Sequence, residues 1–119
     1  MHELPVTESI LEIAVRHARQ ASARHVVDIY LVIGDLASIV DDSVEFYWDI
    51  VAKDTIAEGA RLHFRRLPVE IECLDCQKRS HPPLDDLACQ HCGSLLFKVI
   101  VGREFYVEAI NVENQDTGT

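Results

Sequence analysis

The sequence predicts an α+β fold: a small lobe of two helices and a three-stranded sheet, with a four-cysteine lobe inserted into it. Three observations predict this. Apolar residues recur at helical spacing near the start of the chain and again after Asp41. Alternating, β-rich stretches lie at 25–33, 61–67 and from 105 onward. The four cysteines form two Cys-x2-Cys pairs, Cys73/Cys76 and Cys89/Cys92, between the second and third of those stretches. Residues 1–68 with 103–113 then form the α/β lobe, 69–102 the four-cysteine lobe and 114–119 a disordered polar tail.

The first helix admits Pro5 in its first turn and carries Val6, Ile10, Leu11, Ala14, Ala18 and Ala21 as an apolar stripe. Glu8, Glu12, Arg16 and Arg19 face water, with Glu12 and Arg16 as an i,i+4 pair in the favourable order. The strand at 25–33 sets Val27, Ile29, Leu31 and Ile33 on one face, while Asp28 interrupts the other; Gly34-Asp35 breaks it. Asp41-Asp42-Ser43 offers N-cap oxygens to a second helix, and Glu45, three after Asp42, completes a capping-box pattern. Val44, Tyr47, Trp48 and Val51 make that helix's inner face, and Phe46 and Ile50 widen it as core or subunit contact. Arg61–Leu67 is the second strand, and Pro68 marks the passage to the cysteines. After Gly102, the alternation of Phe105, Val107 and Ala109 returns a strand to the first sheet.

At 119 residues the chain can build one modest core, and no run of about eighteen apolar residues is present to span a bilayer. Without a secretory signal, it reads as a cytoplasmic protein. A net charge of -9 argues against generic nucleic-acid binding, and Arg61, Arg65, Arg66, Lys78 and Arg79 are only a local basic exception.

Two paired Cys-x2-Cys turns supply the four soft ligands of a tetrahedral zinc site, and Gly93 directly after the second pair suits a knuckle turn with positive φ. Two disulfides, an iron centre and a redox Cys-x-x-Cys are the competing readings. Four cysteines close the coordination sphere, so zinc here is structural. His81 and His91 lie close enough in sequence to replace a thiolate, although loop histidines need no such role.

The terminus offers a second kind of site. The Met1 amine, the His2 amide nitrogen and the His2 imidazole can close fused chelate rings around one metal, and the Glu3 amide can supply a fourth in-plane nitrogen. Square-planar nitrogen ligation suits Ni(II) or Cu(II) rather than zinc. On spacing alone, an accidental terminal histidine explains His2 as well. There is no Gly-rich phosphate loop, no Gly-x-Ser-x-Gly and no His-Glu-x-x-His. Asp41-Asp42 and Asp85-Asp86 fall in predicted turns, so no catalytic residues are assigned and the chain does not read as an enzyme.

The opening Met1-His2-Glu3-Leu4, the passage from Ile33-Gly34 through Phe46, Ile56-Ala57-Glu58-Gly59-Ala60-Arg61-Leu62, the four-cysteine module and the closing strand from Phe105 stand together in one order. In that order the chain resembles the HypA/HybF family of [NiFe]-hydrogenase maturation proteins over nearly its whole length. The resemblance implies a nickel metallochaperone that delivers Ni(II) to the hydrogenase large-subunit precursor together with a HypB-type GTPase, and it allows a homodimer. It implies nickel ligation by Met1, His2 and Glu3, nickel being transient cargo, and structural zinc on Cys73, Cys76, Cys89 and Cys92. The two-helix, three-stranded lobe is then the nickel-binding one. A zinc-ribbon adaptor with an inert His2, binding protein or nucleic acid, is the alternative from another class.

Overall fold

The computed structural model describes residues 3–114. Two helices, α1 (Glu3–Gln20) and α2 (Asp41–Val51), accompany six strands: β1 (Ala23–Gly34), β2 (Arg61–Leu67), β3 (Glu70–Cys73), β4 (Arg79–Ser80), β5 (Phe97–Val101) and β6 (Phe105–Asn114). The strands form two three-stranded sheets, ordered β2-β1-β6 and β4-β3-β5. The expected α+β class, with a four-cysteine lobe whose strands lie between β2 and β6 in the chain, is therefore observed. Two compact units result. Unit 1 holds the helices, β1 to Leu31, Ile39–Phe64 and the chain from Val107; unit 2 holds Val32–Ser38 and Arg65–Tyr106.

In unit 1, α1 buries Thr7, Ile10, Ala14 and Ala18, three or four residues apart, and packs on α2. Thr7 enters the core because its hydroxyl donates to the Glu3 carbonyl one turn back, which leaves the methyl to pack. Ala21 lies beyond the helix end and is exposed. The Asp42–Glu45 capping box does not form. Val40 is the N-cap in extended conformation with no side-chain cap, and Asp41 and Asp42 fall inside the first turn, where their charge complements the helix dipole. Glu3 reaches this helix start instead: its Oε2 accepts the Val40 N–H at 3.2 Å.

Of the expected inner face of α2, Val44 and Trp48 are fully covered, while Tyr47 and Val51 are half-buried. Trp48 Nε1 donates to the Ala60 carbonyl at 3.1 Å, a buried bond that ties the helix to the start of β2. Phe46 and Ile50 do not widen the inner face. They are 64% and 58% exposed, because at 3.6 residues per turn they point well away from the Val44–Trp48 stripe. The segment that follows the helix buries only small side chains, Ala52, Ala57 and Ala60. Central β1 loses strict alternation: Val26, Asp28, Ile29 and Leu31 are buried, and Val27 is not.

In unit 2, β3 pairs antiparallel with both neighbours, setting Ile71 opposite Ser80 on one side and Val99 on the other. Ile71 is completely buried. Elsewhere in the unit, Gly34 and Gly102 touch backbone to backbone. Gly34 N–H donates to the Glu104 carbonyl and Leu36 N–H to the Gly102 carbonyl, both at 2.8 Å. A Cβ on Gly34 would sit 2.1 Å from the carbonyl carbon and oxygen of Gly102, and Gly102 itself has φ +142. The backbone cannot yield as a side-chain tip would. Gly34→Ala is therefore expected to lower stability by about 3 kcal/mol, the upper end of ordinary overpacking, read as a reduced denaturant midpoint. An unchanged midpoint would contradict the close approach.

Candidate metal centre

The two Cys-x2-Cys segments fold the same way. Cys73 N–H donates to the Lys78 carbonyl and Gln77 N–H to the Cys73 carbonyl; Cys89 N–H donates to Ser94 and Gly93 N–H to Cys89. The residue after the second cysteine of each pair takes positive φ, +65 at Gln77 and +79 at Gly93. Gly93 was legible in the sequence, whereas Gln77 adopts the same conformation against its residue type. Each knuckle then aims backbone N–H groups at its first sulfur, Asp75 and Cys76 at Cys73 Sγ and His91 at Cys89 Sγ, all at 3.4 Å.

All four sulfurs lie within 4.8 Å of one another. Contacts of 3.6 Å between Cys73 and Cys92 and 3.7 Å between Cys76 and Cys89 join the knuckles, and no cysteine is disulfide-bonded. A tetrahedral zinc ion with Zn–S of about 2.3 Å requires sulfur–sulfur edges of about 3.8 Å. Both the donor set and its spacing fit that ion. The Cys76 N–H bond to its sulfur, opposed by burial and helped by the Asp75 N–H, lowers the Cys73 thiol to about 6. The His91 N–H likewise lowers Cys89. Cys92 moves the other way: the Ser94 N–H favours its thiolate but is outweighed by Cys73, burial and the remaining sulfurs. The leading cysteine of each knuckle is thus the one whose thiolate the backbone favours. His91 Nε2 lies 3.3 Å from the Arg79 carbonyl, and His81 Nε2 is 3.9 Å from Glu70.

Residues 1–112 match the family described as hydrogenase/urease nickel incorporation, metallochaperone, hypA. The chain belongs to the HypA family. It is 41% identical over 115 residues to the hydrogenase maturation factor HypA of Dehalococcoides mccartyi strain 195, covering 97% of each chain. With the HypA of Caldanaerobacter subterraneus subsp. tengcongensis the identity is 37% over 116 residues, covering 95% of this chain and all of the relative. The solution structure of the Ni metallochaperone HypA from Helicobacter pylori superposes with a TM-score of 0.67 at 21% identity, covering 97% of this chain and 100% of that one. A second solution structure of a HypA protein gives 0.71 at 22% identity, with 97% and 98% coverage. At such identity these two speak for the fold. The family makes this HypA-family chain a nickel-incorporation metallochaperone of hydrogenase maturation, and among the described residues no helix is long and apolar enough to cross a membrane.

Of the residues expected to hold nickel, Met1 and His2 lie outside the described residues, while Glu3 is the first residue of α1. β6 extends through Asn114, and the remaining tail, 115–119, also lies outside them.

In unit 1 the structure assembles a polar group that sequence reasoning missed. Asp28 of β1 is 7% exposed, and its Oδ1 meets His63 Nε2 at 2.8 Å and Arg61 Nε at 3.2 Å, both from β2. Its Oδ2 accepts from Asn111 Nδ2 of β6 at 3.3 Å. The His63 ring stacks on Tyr30, with centroids 4.6 Å apart. The only signal was a carboxylate interrupting an apolar strand; its partners depended on strand order and register, which spacing does not give. The His63 hydrogen bond, with Asn111 and Arg61 adding and burial opposing, holds the Asp28 carboxyl below its usual 3.8. A depressed folded-state pKa contributes stability above the unfolded value and loses it as pH falls through the folded one. Asp28→Asn should therefore be less stable than the parent near about pH 6, with the gap closing as pH falls below about 3.8. Denaturant midpoints across that range test this, and a gap independent of pH would exclude the ionised carboxylate as its source.

Proposed function

We propose that this chain takes up Ni(II) at its amino terminus and delivers it in the cytoplasm to the large-subunit precursor of a [NiFe]-hydrogenase, working with a HypB-type GTPase. In the same reading Met1, His2 and Glu3 hold the cargo, and Cys73, Cys76, Cys89 and Cys92 hold a structural zinc ion. The observation that carries it is a family match that begins at Met1, on a chain opening Met-His-Glu. Its own chemistry agrees. Glu3 is the first residue of α1 and its carboxylate accepts the Val40 N–H, so the Met-His-Glu motif adjoins the helical unit. Nitrogen donors in one plane suit Ni(II) and leave zinc to the sulfurs. When bound, zinc supplies cross-linking and no catalysis, since four thiolates leave no open position.

Delivery requires that the cargo leave while the structural ion stays. A terminal amine and an imidazole both accept protons near neutrality, so nickel held by them exchanges with a competing ligand, whereas a closed thiolate shell does not open without unfolding its knuckles.

Two outcomes test the assignment. Untagged protein should bind one nickel per chain with the absorbance band of square-planar Ni(II). His2→Ala, or one extra Gly before Met1, should weaken that binding by more than about a hundredfold, beyond the cost of losing an outer-shell partner. Equal nickel binding by all three chains would remove the terminus as the site. Cys73→Ala should lose its zinc, measured by elemental analysis, and expose unit 2 to proteolysis, because structural zinc supplies about 10 kcal/mol or more of folding free energy. A folded, zinc-loaded variant would reject the ligand set.

A further inference from the structure

We infer that the outward face of α2 is a docking surface for an amphipathic helix of a partner protein, one carrying a row of Lys or Arg beside a row of apolar residues. The inference is independent of the nickel site. Phe46 and Ile50, one turn apart, form an exposed apolar row, and the Phe46 ring is steadied edge-on against Tyr47 at 5.2 Å. Beside it on the same face run Asp42, Glu45 and Asp49, at spacings of three and four residues. All three are exposed, and among the described residues no hydrogen bond or ion pair engages their side chains. The helix contains no base at all; Lys53 follows its end.

Like charges at this spacing weaken a helix, and two large apolar side chains in water gain nothing by staying there. Both conditions are relieved together by a helix whose cations meet the acidic row while its apolar row covers Phe46 and Ile50. A second copy of this chain does not fit, because its α2 would bring acids to acids and no base. An anionic membrane surface is repelled by the same row.

The test uses the full-length protein and labelled synthetic helices of about eighteen residues, long enough to be helical. One probe has a Lys row beside a Leu row, a second has the same composition with the rows scrambled, and a third has Glu in place of Lys. Fluorescence anisotropy should detect binding of the first alone. Phe46→Ser and Ile50→Ser should each weaken it by about tenfold or more, as expected for anchors at the centre of an interface. The triple change Asp42→Asn, Glu45→Gln, Asp49→Asn should remove its salt dependence. Trp48 fluorescence and nickel stoichiometry should stay unchanged in every variant. Equal binding of the scrambled helix, undiminished binding by both Ser variants, or no binding would overturn the inference. A concentration-dependent dimer that Phe46→Ser dissolves would overturn it too, in favour of a second copy.

Discussion

The convergence of four sulfurs is the constraint on which unit 2 depends. Its own sheet joins strands of four, two and five residues, and of their side chains Ile71 is completely buried. Strands so short cannot bury enough apolar surface to offset the entropy of ordering the loops between them. The knuckles solve this by turning the backbone toward the sulfurs, so that the hydrogen bonds shaping each turn also favour thiolate on Cys73 and Cys89. Local geometry and ligand charge thus have one origin, the curled N–H groups beneath each pair.

Unit 1 is held by different means. Its helices meet through small and β-branched side chains, and Trp48 closes the far end by combining a buried ring with one directed hydrogen bond to Ala60. Across the sheet, Asp28 draws donors from both neighbouring strands. A buried carboxylate without those donors would be costly, so the group specifies which strands lie beside β1 and in what register. That role differs from the stabilisation supplied by Ile29 or Leu31, which any register burying the same face would supply.

What was legible in the sequence follows from which signals are local. Cys-x2-Cys spacing, the alternation of Arg61–Leu67 and the return of Phe105 to the first sheet are properties of short windows, and the structure keeps them. The capping box at Asp42 was also a local signal, yet it lost to a distant residue: with Glu3 accepting the Val40 N–H, Val40 is the N-cap and the helix begins two residues earlier than a cap at Asp42 would start it. Phe46 and Ile50 failed for another reason, since periodicity counts apolar residues without knowing how much core remains to receive them. The Gly34–Gly102 approach and the Asp28 group join residues from 33 to 83 positions apart along the chain, where spacing carries no information.

Glu3 joins these threads. Its carboxylate serves α2 and its carbonyl receives the Thr7 hydroxyl, so two of its three polar groups are committed to structure. In the proposed nickel site Glu3 is a ligand residue, and these two contacts fix where it stands. The start of α1 is thereby fixed against the start of α2 by a residue of the proposed site itself. On that proposal, cargo and structural ion ask different things of a small chain. The proposed cargo site would draw on a helix start that other contacts already fix, whereas the four cysteines join the two knuckles of unit 2.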